Sequence, residues 1–109
     1  MTNRARGDYH EHRTRDALDA DGWVVVRAAG SLGPADLVAL QAGGHPLLVS
    51  CKTRHRISPG ERLALIRVAK QAGATPILAW RKDRGWVQLD IVELGPATIP
   101  WCSLKVPPR

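Results

Sequence analysis

Two ionisable residues stand where apolar strands would normally carry none. Asp36 heads the run Leu37-Val38-Ala39-Leu40, and Lys52 ends the run Leu47-Leu48-Val49-Ser50-Cys51. A charge on a buried strand is costly unless it is paired or bound to a metal. The segment Gln41-Ala42-Gly43-Gly44-His45-Pro46 between the runs reads as a hairpin loop that lays the two strands side by side. A carboxylate and a lysine on neighbouring strands suit metal-assisted cleavage of a phosphodiester. That ester is a poor electrophile because its negative charge repels nucleophiles. A divalent cation offsets the charge, acidifies a bound water and orients the attack. Magnesium takes hard oxygen ligands, usually one or two carboxylates, with water and phosphate completing the octahedron. Asp36 is placed to supply one ligand and the Cys51 carbonyl another, while Glu11 offers a second carboxylate, directly or through water. Lys52 would then steady hydroxide and the charge developing on phosphorus. Simpler roles exist for both strand residues: Asp36 as a cap on the turn after Gly33-Pro34, and Lys52 as a side chain reaching solvent from a strand end. His10-Glu11-His12 has metal-ligand composition, but neighbours on a helix point in different directions, so the histidines should not converge.

The elements that must position these residues are legible. Residues 9–20 lack Gly and Pro and form a helix stopped at Gly22, preceded by a basic arm over 1–8 that reads as flexible. Strands follow at 23–28, 35–40 and 47–53, the last two apolar at most positions, as in strands covered on both faces. After a basic loop at 54–57, Ser58-Pro59-Gly60-Glu61 is a strong helix start, with an N-cap serine, proline at the first position and glutamate three residues after the cap. The expected sheet-facing side of this helix carries Leu63, Ile66, Ala69 and Lys70, with Leu65 and Ala72 beside them, and Gly73 ends it. Strands at 75–80 and 86–93 flank a turn, and the proline-bearing tail 95–109 reads as irregular, with Trp101 as an anchor. Trp23, Trp80 and Trp86 fall in strands and are expected in the core or an interface. The element order is αβββαββ.

At 109 residues the chain is one domain with a modest core. Its net charge of +6 and pI near 10.2 favour a polyanionic partner. The charge is also clustered: Lys52, Arg54, Arg56, Arg62, Arg67 and Lys70 face the single Glu61 within residues 50–70, beside the proposed site. That is the distribution a phosphate-binding surface requires. Two cysteines, Cys51 and Cys102, without a CxxC pair exclude a disulfide scaffold and a zinc knuckle, and fit a reducing cytoplasm. No apolar run has membrane-spanning length, and the N-terminus lacks a signal-peptide core, so no membrane partner is expected.

Three segments carry a family resemblance. They are Gly22-Trp23-Val24-Val25-Val26-Arg27-Ala28-Ala29-Gly30-Ser31, then Pro34-Ala35-Asp36-Leu37-Val38-Ala39, then Val49-Ser50-Cys51-Lys52, with Glu11 on the helix before them. Over roughly residues 8–93 the chain resembles the archaeal-type Holliday junction resolvases of the PD-(D/E)XK nuclease superfamily and their small bacterial and phage relatives. The resemblance implies a restriction-endonuclease-like α/β fold, a mixed sheet flanked by helices, with residues 9–94 as the nuclease-like domain. It implies a metal-dependent, structure-selective DNA endonuclease acting on four-way junctions or other branched DNA, with Mg²⁺ as cofactor and Mn²⁺ as the alternative. Catalysis would rest on Glu11, Asp36, Ser50 and Lys52, and metal binding on Glu11, Asp36, Ser50 and Cys51. Arg4, Arg6, Arg27, Ser31, Arg54, Arg56 and Arg62 would contact DNA. Paired incisions on opposing strands imply a two-fold homodimer. One departure matters: the family pattern has an acidic residue, sometimes Gln, two positions before the lysine, and this chain has Ser50, a neutral and weaker magnesium ligand. The rival expectation is a non-catalytic DNA-binding or assembly module on the same fold.

Overall fold

The computed structural model describes residues 3–28, 30 and 32–108, the first six of them by backbone alone. Their order is α1 (Asn3–Ala20), β1 (Val24–Arg27), β2 (Leu37–Leu40), β3 (Leu47–Lys52), α2 (Pro59–Ala72), β4 (Thr75–Asp83), β5 (Trp86–Val92) and β6 (Thr98–Lys105). The strands form one mixed sheet in the order β1-β2-β3-β4-β5-β6. All neighbours are antiparallel except β3 and β4. A parallel pair needs a crossover, and α2 supplies it.

Alternation along the strands sorts the core into two layers. Leu47, Val49, Ile77, Ala79, Val87 and Leu89 pack with Ala17 and Leu18 of α1. Leu48, Leu78 and Val92 pack with Leu65 and Ala69 of α2 on the other face. By the same alternation Cys51 looks toward α1, while Ser50 and Lys52 look toward α2. Strands covered on both faces are apolar nearly throughout, which is why β3 is buried over Leu47–Ser50.

Three expectations are corrected. First, the backbone is helical from Asn3, so α1 takes in most of the expected arm; the single Gly7 in that stretch costs a helix only about 1 kcal/mol. Second, the tail is largely a strand. β6 lies at the sheet edge, where proline is tolerated, and its register against β5 shifts between Leu89↔Cys102 and Asp90↔Pro100. Trp101 is the extra residue of that bulge, and its ring meets Trp23 edge-on at 6.3 Å. In a flat sheet of six strands the two edges would stand about 24 Å apart, so this contact requires the sheet to coil around α1. Third, the inward side of α2 is shifted: Leu65, Ile66 and Ala69 pack inward as expected, Arg62 is buried with them, and Leu63 (55% exposed) and Lys70 lie outside. Arg62 can occupy an inward position because its guanidinium donates to the carbonyls of Glu93 (2.9 Å), Pro96 (3.0 Å) and Ala97 (3.2 Å). The helix ends are as expected. The Ser58 hydroxyl accepts the Glu61 N–H at 3.2 Å, and Gly73 adopts the left-handed conformation (φ 65°) that closes the last turn.

Candidate active site

Asp36 sits where β2 begins. Its N–H donates to the Val49 carbonyl (2.8 Å), and its Oδ2 accepts the Cys51 N–H (2.7 Å). The carboxylate thus stands where a strand carbonyl would stand in a longer ladder, so Asp36 caps the β3 backbone and is held rigidly by it. Burial pushes its carboxyl above the ordinary value. The Cys51 N–H and the Lys52 charge oppose that rise, and the charge of Glu61 adds to it.

Lys52, at the end of β3, donates to Glu61 Oε2 at 2.7 Å, and both side chains are partly exposed. This contact holds the Glu61 carboxyl below its ordinary value. Glu61 also accepts from the Ser58 hydroxyl at 3.0 Å, so the residue that starts α2 also orients the lysine. Ser50 is fully buried, and its hydroxyl has no hydrogen-bond partner among the described residues.

Glu11 lies on α1 and pairs with Arg27 of β1 at 2.9 Å. Its charge, like those of Asp36 and Lys52, acts on the Cys51 thiol. Burial drives that thiol well above its ordinary value, Asp36 and Glu11 push the same way, and Lys52 opposes them. Cys51 is therefore a protonated thiol. His10 is buried with Nε2 3.3 Å from the Ala79 carbonyl, and His12 is exposed, so the two histidines face apart. Among the described residues no three of His, Cys, Asp and Glu gather into a metal-binding group.

The expected DNA contacts divide. Arg54 and Arg56 are exposed on the loop after β3. Arg27 is exposed but engaged with Glu11. Arg62 is a correction: buried and bonded to three carbonyls, it fastens the 93–97 segment and has no face to offer phosphate. Ser31 and the side chains of Arg4 and Arg6 lie outside the described residues.

Comparison with known proteins gives the family and the fold. The family profile described as archaeal Holliday junction resolvase (Hjc) matches residues 2–98. The chain belongs to the archaeal Holliday junction resolvase family. Membership carries with it a resolvase role, a nuclease lineage and binding to branched DNA. The 1.6 Å structure of Hjc from Archaeoglobus fulgidus, a Holliday junction resolvase from an archaeal hyperthermophile, superposes with a TM-score of 0.71. The two are 24% identical, and the match covers 93% of this chain and 83% of that one, a likeness of fold. No curated protein sequence matches. Among the described residues no helix is long and apolar enough to cross a membrane.

Against the Hjc pattern this chain holds features the motif did not reveal. Asp90 is fully buried in β5, yet it accepts from Trp80 Nε1 (3.0 Å), Thr98 Oγ1 (2.9 Å) and Gln88 Nε2 (3.0 Å). His55 Nε2 lies 2.8 Å from the same carboxylate, and its ring stacks on Trp80 at 4.5 Å. The imidazole between Arg54 and Arg56 is thereby anchored to the sheet, which fixes the basic loop. An acid inside the apolar run of β5 is the same kind of signal as Asp36 and could have been read from sequence. Trp86, expected in the core or an interface, is 41% exposed, which leaves it outside the core.

Proposed function

We propose that this member of the resolvase family is a magnesium-dependent endonuclease that cuts four-way DNA junctions as a homodimer, with manganese as the alternative metal. The observation that carries the reading is the Asp36 carboxylate at the head of β2, fixed on the Cys51 N–H one residue before Lys52 at the end of β3. Asp36, a desolvated carboxylate, and the Cys51 carbonyl would hold a hard cation that keeps most of its water, and Glu11, paired with Arg27, would reach it through that water. When bound there, magnesium would neutralise phosphate charge and acidify a water. Asp36, locked to the Cys51 N–H, gives that charge a fixed address. Lys52, oriented by Glu61, stabilises charge developing on the scissile phosphate. Arg54 and Arg56, on the loop held by His55, bind neighbouring phosphates. Two incisions on opposing strands call for two such sites related by a two-fold axis. The substrate is a recombination or repair intermediate, met in the cytoplasm.

One observation favours a second reading, a binding-only module. Ser50 stands in the acidic position, and its buried hydroxyl has no partner with which to orient a ligand. An end-labelled junction incubated with the protein and Mg²⁺ or Mn²⁺ decides between them. Paired incisions in the wild type, lost in Lys52→Ala, support the nuclease. Tight junction binding without cleavage in either metal establishes the module. Sedimentation of the free protein and the complex tests the dimer.

A further inference from the structure

Across β3 from Lys52, on the α1 side, a cleft of about 600 Å³ opens between the first half of α1 and the β4–β5 hairpin. Arg13, Arg54, Arg81 and Arg84 line it with Tyr9 and Trp86, over a floor that includes the buried Val87 and Val106. Asp83 is the one carboxylate in the lining, and its Oδ1 is engaged by the Arg84 N–H at 2.7 Å. Among the described residues no carboxylate forms a salt bridge with any of the four arginines. Four arginines gathered about one carboxylate repel one another, and a polyanion relieves that cost.

The aromatic residues narrow the choice of polyanion. Tyr9 is 47% and Trp86 41% exposed, large areas for aromatic rings beside a charged cleft. Arg13 holds the tyrosine from two sides, donating to its hydroxyl at 2.8 Å and lying 5.4 Å from its ring centroid. A paired base has its faces covered by its neighbours, so a duplex offers such rings only its backbone and groove edges. An unpaired base offers a full face for stacking. The volume also falls within the range of about 300–1,000 Å³ typical of small-ligand pockets.

We propose that this cleft is a subsite for unpaired nucleotides of the strand leaving the cleavage site, its arginines on the phosphates and Tyr9 and Trp86 against the bases. Arg54 belongs both to the cleft and to the loop that follows Lys52, so a strand passing the candidate active site has a continuous basic path into it. The inference rests on the branched-DNA reading above, because only at a branch or an opened end does a resolvase meet unpaired bases.

The test measures binding of fluorescent dT8, a blunt duplex and an intact four-way junction by wild type, Trp86→Ala, Trp86→Phe and the double variant Arg81→Ala/Arg84→Ala. Wild type is expected to bind dT8 with quenching of tryptophan emission. Trp86→Ala should weaken dT8 by about fivefold or more and the duplex by less. Trp86→Phe should keep the affinity while losing the quench. The double arginine variant, altered only at exposed positions, should lower the salt slope for dT8 by about 1.4. If the junction binds but dT8 does not, or binds all variants alike, the subsite is refuted and the resolvase reading stands. If dT8 binds through Trp86 while the junction does not bind, the subsite stands and the resolvase reading fails.

Discussion

Replacing Asp36 in two ways separates its structural role from its proposed chemical one. In Asp36→Ala the Cys51 N–H loses the acceptor it holds at 2.7 Å. A partly buried donor left unmatched costs about 1–3 kcal/mol, and each kcal/mol lowers the melting temperature by about 4–8 °C in a domain near this size. Asp36→Asn keeps an oxygen for that N–H and removes only the charge. Burial raises the Asp36 carboxyl above its ordinary value of 3.8, so the folded chain holds that proton more tightly than the unfolded chain does. The stability this contributes is complete below pH 3.8 and is lost as pH rises through the higher folded value. Asp36→Asn should therefore melt at or above the parent at pH 7, with the difference vanishing in acid. Magnesium reverses the order. Parent melting should climb with added Mg²⁺, by about 2.7 kcal/mol at a hundred times the dissociation constant, and Asp36→Asn should show no climb. Junction cleavage should be lost in both variants. Scanning calorimetry across pH and Mg²⁺, beside a gel assay, reads all of this. Cleavage at the parental rate by Asp36→Asn, or an unchanged magnesium response, would refute the assignment.

Other outcomes follow from named contacts. Ser50→Ala removes a buried hydroxyl without a partner, so its melting temperature should equal or exceed the parent's; a loss above about 1 kcal/mol would mean that the hydroxyl is satisfied after all. Ser50→Glu should destabilise the metal-free fold, by placing a second carboxylate near Asp36 in a buried position, and should lower the magnesium needed for half-maximal cleavage. Arg62→Ala strands three carbonyls and should cost at least about 1.5–3 kcal/mol while leaving the salt slope of DNA binding unchanged; a lower slope would return Arg62 to the interface. Arg54→Ala with Arg56→Ala should lower the slope for duplex arms by about 1.8 with little change in melting, and an unaltered slope would remove this loop from the DNA.

Much of the molecule was legible without coordinates, because the signals were local. Ser58-Pro59 and Gly73 mark the ends of α2 through the backbone groups that a helix leaves unpaired, and those groups are the same in any fold. The apolar runs of β2 and β3 with a Gly-Gly turn between them specify an antiparallel pair. An acid at one strand's head and a lysine at the other's end then come near each other in almost any register.

What depended on distant partners was not legible. That Arg62 turns inward, and not to DNA as expected, depended on the 93–97 carbonyls that accept from it. The tail became β6 because the edge of β5 offered it a ladder, and a bulge at Trp101 let prolines coexist with pairing. Glu11 was expected to reach the metal alone but is held by Arg27, from an element sixteen residues away. Whether Trp86 lies inside or out depended on the coiling of the sheet around α1, which leaves the β4–β5 hairpin standing beside the helix as one wall of a cleft. Periodicity states which residues share a face of one element. Only the packing of elements against one another decides which of those faces meets protein and which is left for DNA.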